Sequence, residues 1–66
     1  MEWLDGKARR IAAHLHGVEA GFNLKDIKAK MNQGERARRD EILAYGIARG
    51  WIVHRDGRYF GGTDPR

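Results

Sequence analysis

Apolar residues in the first quarter of the chain stand at Leu4, Ala8, Ile11 and Leu15. Intervals of four, three and four draw a single stripe on an α-helix, which predicts a first helix within Trp3 to Gly17. Lys7, Arg9, Arg10 and His14 fall mostly off the stripe. Gly6 sets the start of the regular part after Asp5, a suitable N-cap, and Gly17 is a natural stop. After a short connector the start signals are stronger. Asn23 is a good N-cap, Asp26 three residues on completes an arrangement close to a capping box, and Phe22 with Ile27 forms a hydrophobic staple. A short helix is therefore predicted over Leu24 to Met31. Its Leu24, Ile27 and Met31 share one face, and Lys25, Lys28 and Lys30 point elsewhere.

A third helix is predicted from Glu35 to Gly50, with Leu43, Ala44, Ile47 and Ala48 as its apolar face and Gly50 as the closing glycine. Ile42 and Tyr45 lie towards the other side, where a folded-back hairpin would cover them. Gly46 costs helix propensity and marks a close approach to another element. "WIVHRDGRYF" (Trp51 to Phe60) reads as a β-hairpin, because Asp56-Gly57 supplies the two positive-φ residues of a tight type I′ turn. "GGTDPR" has turn residues and no pattern. The expected organisation is one domain over residues 1–61 and a flexible tail over 62–66. The fold class is α+β, mostly α, with three helices followed by a hairpin.

Two helices joined by a short glycine-containing turn form the helix-turn-helix pattern, and a hairpin after the second of them is a wing. With Asn23 to Met31 as supporting helix, Gly34 to Gly50 as recognition helix and "ARGWIVHRDGRYF" as the run into a basic wing, the chain resembles the winged helix-turn-helix superfamily of DNA-binding domains. The likeness covers roughly Leu4 to Phe60. "GWI", the hairpin and "GGTDP" are also similar to the C-terminal winged helices of some phage and plasmid replication proteins. The chain departs from the pattern at Gly46, where many members carry a large aliphatic residue. The resemblance implies binding to duplex DNA, with the helix at about 35–49 in the major groove and the wing at 51–60 along the backbone or in the minor groove.

Thirteen Lys and Arg against nine Asp and Glu give a net charge of +4 and an isoelectric point near 10.0. That balance in a small domain favours polyanionic partners. Arg36, Arg38 and Arg39 fall in the first turns of the third helix, against the macrodipole preference for acidic residues there. An arginine fork can grip guanine or straddle a phosphate. Ion pairing with Glu35, Asp40 and Glu41 on a solvated face is the competing account. Asn32 and Gln33 in the preceding turn either end the second helix or reach a phosphate or base edge. Arg55 and Arg58 flank the Asp-Gly turn directly opposite one another, a repulsion that an anion would relieve. Lys25 lies at the start of the supporting helix, where backbone would pass. The expected DNA-binding residues are thus Lys25, Gln33, Arg36, Arg38, Arg39, Arg55 and Arg58.

Other chemistry is poorly supplied. The chain has no Cys, no Ser and a single Thr in the tail, so nucleophilic catalysis lacks its usual groups. His14, His16 and His54 do not combine into a metal-ligand spacing. No catalytic role, metal, cofactor or small-molecule substrate is expected. No apolar run approaches the roughly 18 residues of a membrane span, and the expectation is a soluble cytoplasmic protein, nucleoid-associated or in a host cytoplasm. Trp3, Trp51, Phe22, Phe60 and Tyr59 are expected in the core or at its rim. The expected partner is duplex DNA, in transcription regulation or within a larger replication or recombination assembly. The alternatives are a winged-helix module that binds protein, and RNA binding.

Overall fold

The apolar stripe of the first helix is buried as its spacing requires. In the computed structural model, which describes residues 2–65, α1 runs Glu2–Leu15 and buries Leu4, Ala8, Ile11, Ala12 and Leu15. Asp5 does not cap it. The helix starts earlier, and Asp5 lies in its first turn, accepting hydrogen bonds from Arg9 and from the Tyr45 hydroxyl. Met1 and Arg66, the outer limits of the expected domain and tail, lie outside the described residues.

The second helix, α2 (Leu24–Ala29), has the expected capping box: the Asp26 amide donates to Asn23 Oδ1 at 2.8 Å and the Asn23 amide to Asp26 Oδ2 at 3.2 Å. It ends two residues sooner than expected. Ile27 and Met31 are buried, but Leu24 is exposed.

The single third helix of the sequence pattern is two. Asn32 opens a second capping box with Glu35 and starts α3 (Gln33–Ala37). Arg38, at φ −120° and ψ 26°, leaves the helical region, and α4 (Arg39–Ala48) begins after it. The buried face of α4 also differs from the expected one. Ile42, Leu43 and Gly46 are buried, whereas Ala44 and Ala48 are exposed and Ile47 is 41% exposed. The cause is Gly46. A Cβ there would lie 2.9 Å from Ile52 Cγ1, so the missing side chain is what lets the hairpin dock on α4. The arc that meets the hairpin is therefore centred on a residue that hydrophobic patterning does not count.

The hairpin consists of β1 (Ile52–Arg55) and β2 (Arg58–Gly61), antiparallel, with Arg55 opposite Arg58 as expected. Asp56 (φ 53°) and Gly57 (φ 73°) make its turn. Phe22, in the connector before α2, bridges to Tyr59. The Phe22 amide donates to the Tyr59 carbonyl at 2.8 Å, and the Tyr59 amide donates back at 2.7 Å. The connector thus continues the sheet on the β2 side. Hydrogen bonds join the segment expected as a flexible tail to the body. The Gly62 and Thr63 amides donate to the Trp51 and Gly50 carbonyls, each at 2.8 Å, and Arg9 donates to the Pro65 carbonyl.

The domain is α+β and mostly helical, with a core of α1, α2, α4 and β1 side chains. Trp3 is not in that core. It is 40% exposed, with Lys7 and Arg38 against its ring.

Overpacking at the α4–hairpin contact is a direct test of this architecture. Gly46→Ala is expected to lower the unfolding free energy by about 1–3 kcal/mol in urea denaturation. Adding Ile52→Val, which removes the nearest methyl, should recover part of the loss. Equal stability of wild type and Gly46→Ala would refute the close contact.

Candidate nucleic-acid interface

The turn between α2 and α3 is built around a buried carboxylate. Glu35 is 1% exposed. Its Oε1 accepts from the Asn32 amide at 2.8 Å and from Arg10 Nη2. Its own amide donates to Asn32 Oδ1 at 2.8 Å. Oε2 has no directed hydrogen bond, and its charge is compensated by the Lys7 ammonium 3.1 Å away. Burial alone would raise this carboxyl above its ordinary value. The Arg10 hydrogen bond, the Asn32 amide and the Lys7 ammonium outweigh burial and lower it to about 2. One side chain therefore caps α3 and fixes α1 against the turn.

Around this turn the cations fall into two groups. On α1 and at the start of α4 each has a carboxylate partner: Lys7 and Arg10 on Glu35, Arg9 on Asp5, Arg38 on Glu41, Arg39 on Asp40. The pairing lowers the Asp5 carboxyl through the hydrogen bonds of Arg9 and Tyr45, and the Glu41 carboxyl through that of Arg38. On α2, at Arg36 and on the hairpin the cations have no ion pair among the described residues. Lys25 and Lys28 are exposed on α2, and Lys30 is exposed at its C-cap. Arg36 Nε donates to the Lys28 carbonyl at 2.9 Å, and Arg10 Nη2 to the Lys30 carbonyl at 3.3 Å. The C-terminal carbonyls of α2, which favour cations, thus draw two guanidinium groups to the lysine-bearing helix.

Arg36, Arg38 and Arg39 are brought together along one shallow groove with Ala37, Asp40 and Glu41. Gln33 is exposed at the first residue of α3, and its neighbour Asn32 caps that helix. At the hairpin the two opposed arginines diverge. Arg58 Nε donates to the Ala20 carbonyl at 2.7 Å and Nη2 to the Gly21 carbonyl at 3.2 Å, anchoring the hairpin to the connector. Arg55 stacks on Phe60, 4.8 Å from the ring centroid, and is exposed. On the hairpin's His54–Tyr59 pair the rings stack at 4.2 Å.

Two parts of this arrangement were open to sequence reasoning and missed by it. Asn32 followed by Glu35 has the capping-box spacing, and the pair starts α3, where the expectation is for Asn32 to end the second helix or reach a phosphate or base edge. The second part is Trp3, which joins two cations instead of the core. Its position outside the Leu4 stripe was the available signal. Comparison with family models, curated proteins and solved structures gave no match.

Because the folded-state value of Glu35 lies below its ordinary 4.5, its contribution to stability is complete above that value and is lost as pH falls towards 2. Glu35→Gln is expected to cost about 2 kcal/mol at neutral pH, since Lys7 and Arg10 can regain water. Thermal unfolding followed by circular dichroism should show a smaller decline for the variant than for wild type between about pH 5 and pH 2. Parallel declines would remove Glu35 as the source.

Proposed function

We propose that the chain is a winged helix-turn-helix domain that binds duplex DNA, as a small phage- or plasmid-type regulator or as the DNA-binding part of a replication or recombination protein. The observation that carries this reading is the uneven pairing of charge. Carboxylates neutralise the cations of α1 and of the α3–α4 break, and leave Lys25, Lys28, Lys30, Arg36, Arg49, Arg55 and Arg58 without ion pairs among the described residues. Arg49 rests on Tyr45 and Arg58 is bonded to the connector. The other five lie on the proposed helix-turn-helix and the hairpin, the elements that meet DNA in such domains.

The order of elements supports the same reading. A helix, a bridging residue at Phe22, helices around a short turn, and a hairpin whose second strand pairs with that bridge follow one another in the order that a winged helix would have. On this reading α3 and the start of α4 approach the major groove, Lys25 and Arg36 meet backbone, and Arg55 is the hairpin's free cation. Arg58 acts indirectly by setting the wing's position. The chain is then a binding module with neither catalytic role nor cofactor.

Fluorescence anisotropy with a labelled random-sequence duplex tests this at several salt concentrations. Binding should weaken steeply as salt rises. Arg36→Ala and Arg55→Ala should each weaken it and reduce the salt slope by about 1. Arg49→Ala, whose guanidinium rests on Tyr45, should leave the slope unchanged. No binding at low salt would overturn the proposal and point to a protein partner for the wing.

A further inference from the structure

Among the three arginines at the α3–α4 break, Arg38 is held on two sides. Its Nε and Nη2 donate to the two oxygens of Glu41, at 3.2 and 2.6 Å, so one edge of the guanidinium is occupied side-on. Its face lies on Trp3, with the guanidinium carbon 4.8 Å from the ring centroid. A guanidinium has five N–H groups, and this arrangement engages two of them. Both N–H groups of Nη1 and the second of Nη2 are left over, which includes the end-on pair. That pair has the fork geometry that matches two adjacent acceptors. The side chain retains 39% of its surface. Arg36 instead commits Nε to a backbone carbonyl, and Arg39 makes one 3.2 Å bond to the adjacent Asp40.

We propose that Arg38 reads guanine in the major groove, offering its end-on edge to O6 and N7, with Glu41 and Trp3 as positioning residues. The inference rests on the DNA-binding reading above. Two physical points favour a base over a phosphate as the ligand. Asp40 and Glu41 lower the local charge, which disfavours a phosphate and does not penalise a neutral base edge. A long side chain already fixed in one geometry also loses little entropy on binding, which benefits a contact that depends on orientation.

The test uses the full chain with two duplexes: alternating dG·dC, and the same duplex with 7-deazaguanine replacing every guanine, which removes the N7 acceptor. Wild type is expected to bind the unmodified duplex about tenfold more tightly in fluorescence anisotropy. Arg38→Lys keeps the charge and should lose that preference. Glu41→Gln and Trp3→Ala should shrink the ratio between the duplexes, whereas a merely structural role would change both affinities alike. Equal binding of the two duplexes by wild type, or a preference retained in Arg38→Lys, overturns guanine reading and leaves DNA binding standing. Failure to bind either duplex overturns both.

Discussion

Glu35 holds a carboxylate out of water in a chain of 66 residues, and the turn between α2 and α3 is organised by how that charge is met. An isolated buried carboxylate costs several kcal/mol, and it is tolerated only when hydrogen bonds and opposite charge surround it. Here the groups that surround it come from two places in the chain. The Asn32 amide is local and fixes the start of α3, while Lys7 and Arg10 come from α1. Fold and local structure are thereby coupled through one side chain, and α1 is set against the turn by charge as well as by its apolar stripe.

The same constraint sorts the remaining cations. Lys7 and Arg10 are committed to Glu35, and Arg9 to Asp5, so α1 presents little uncompensated charge despite its three basic residues. A second polar chain, Arg49 to Tyr45 to Asp5, joins the end of α4 to the start of α1. The cations without an ion pair among the described residues are the lysines of α2 and its C-cap, Arg36, the two hairpin arginines, and Arg49 on Tyr45. Composition gives the surplus of positive charge and not this distribution. For the proposed DNA-binding function this matters more than its size, because counterion release depends on which cations can reach phosphate.

The hairpin answers the problem posed by two arginines facing each other across its turn. Their backbone positions are opposed, but the guanidinium groups part, one to the Ala20 and Gly21 carbonyls and the other onto Phe60. Repulsion is relieved inside the molecule, and one of the two becomes a strut. Gly46 has a comparable part. By leaving out a side chain it lets Ile52 pack on α4, and that contact turns Ile47, Ala44 and Ala48 towards solvent.

Local signals were legible wherever one short stretch settles the outcome. The Leu4–Leu15 stripe, the Asn23 capping box and the positive-φ Asp-Gly turn each depend on residues within a few positions, and each stands as expected. The break at Arg38, the buried arc of α4 and the bonded segment after Gly61 were not legible. The last two depend on contacts between separate elements, Gly46 with Ile52 across α4 and β1 and Gly62 with Trp51, and the Arg38 guanidinium lies on Trp3 from the far end of the described chain. Of the candidate site, the sequence determined which residues carry charge and that three arginines fall together after the turn. The pairing of Arg38 with Glu41 and of Arg39 with Asp40 is between near neighbours, an account the spacing itself offered. The tertiary structure decided the contacts between separate elements, Lys7 and Arg10 on Glu35 and Arg36 on the Lys28 carbonyl, because no periodicity along the chain encodes such distances.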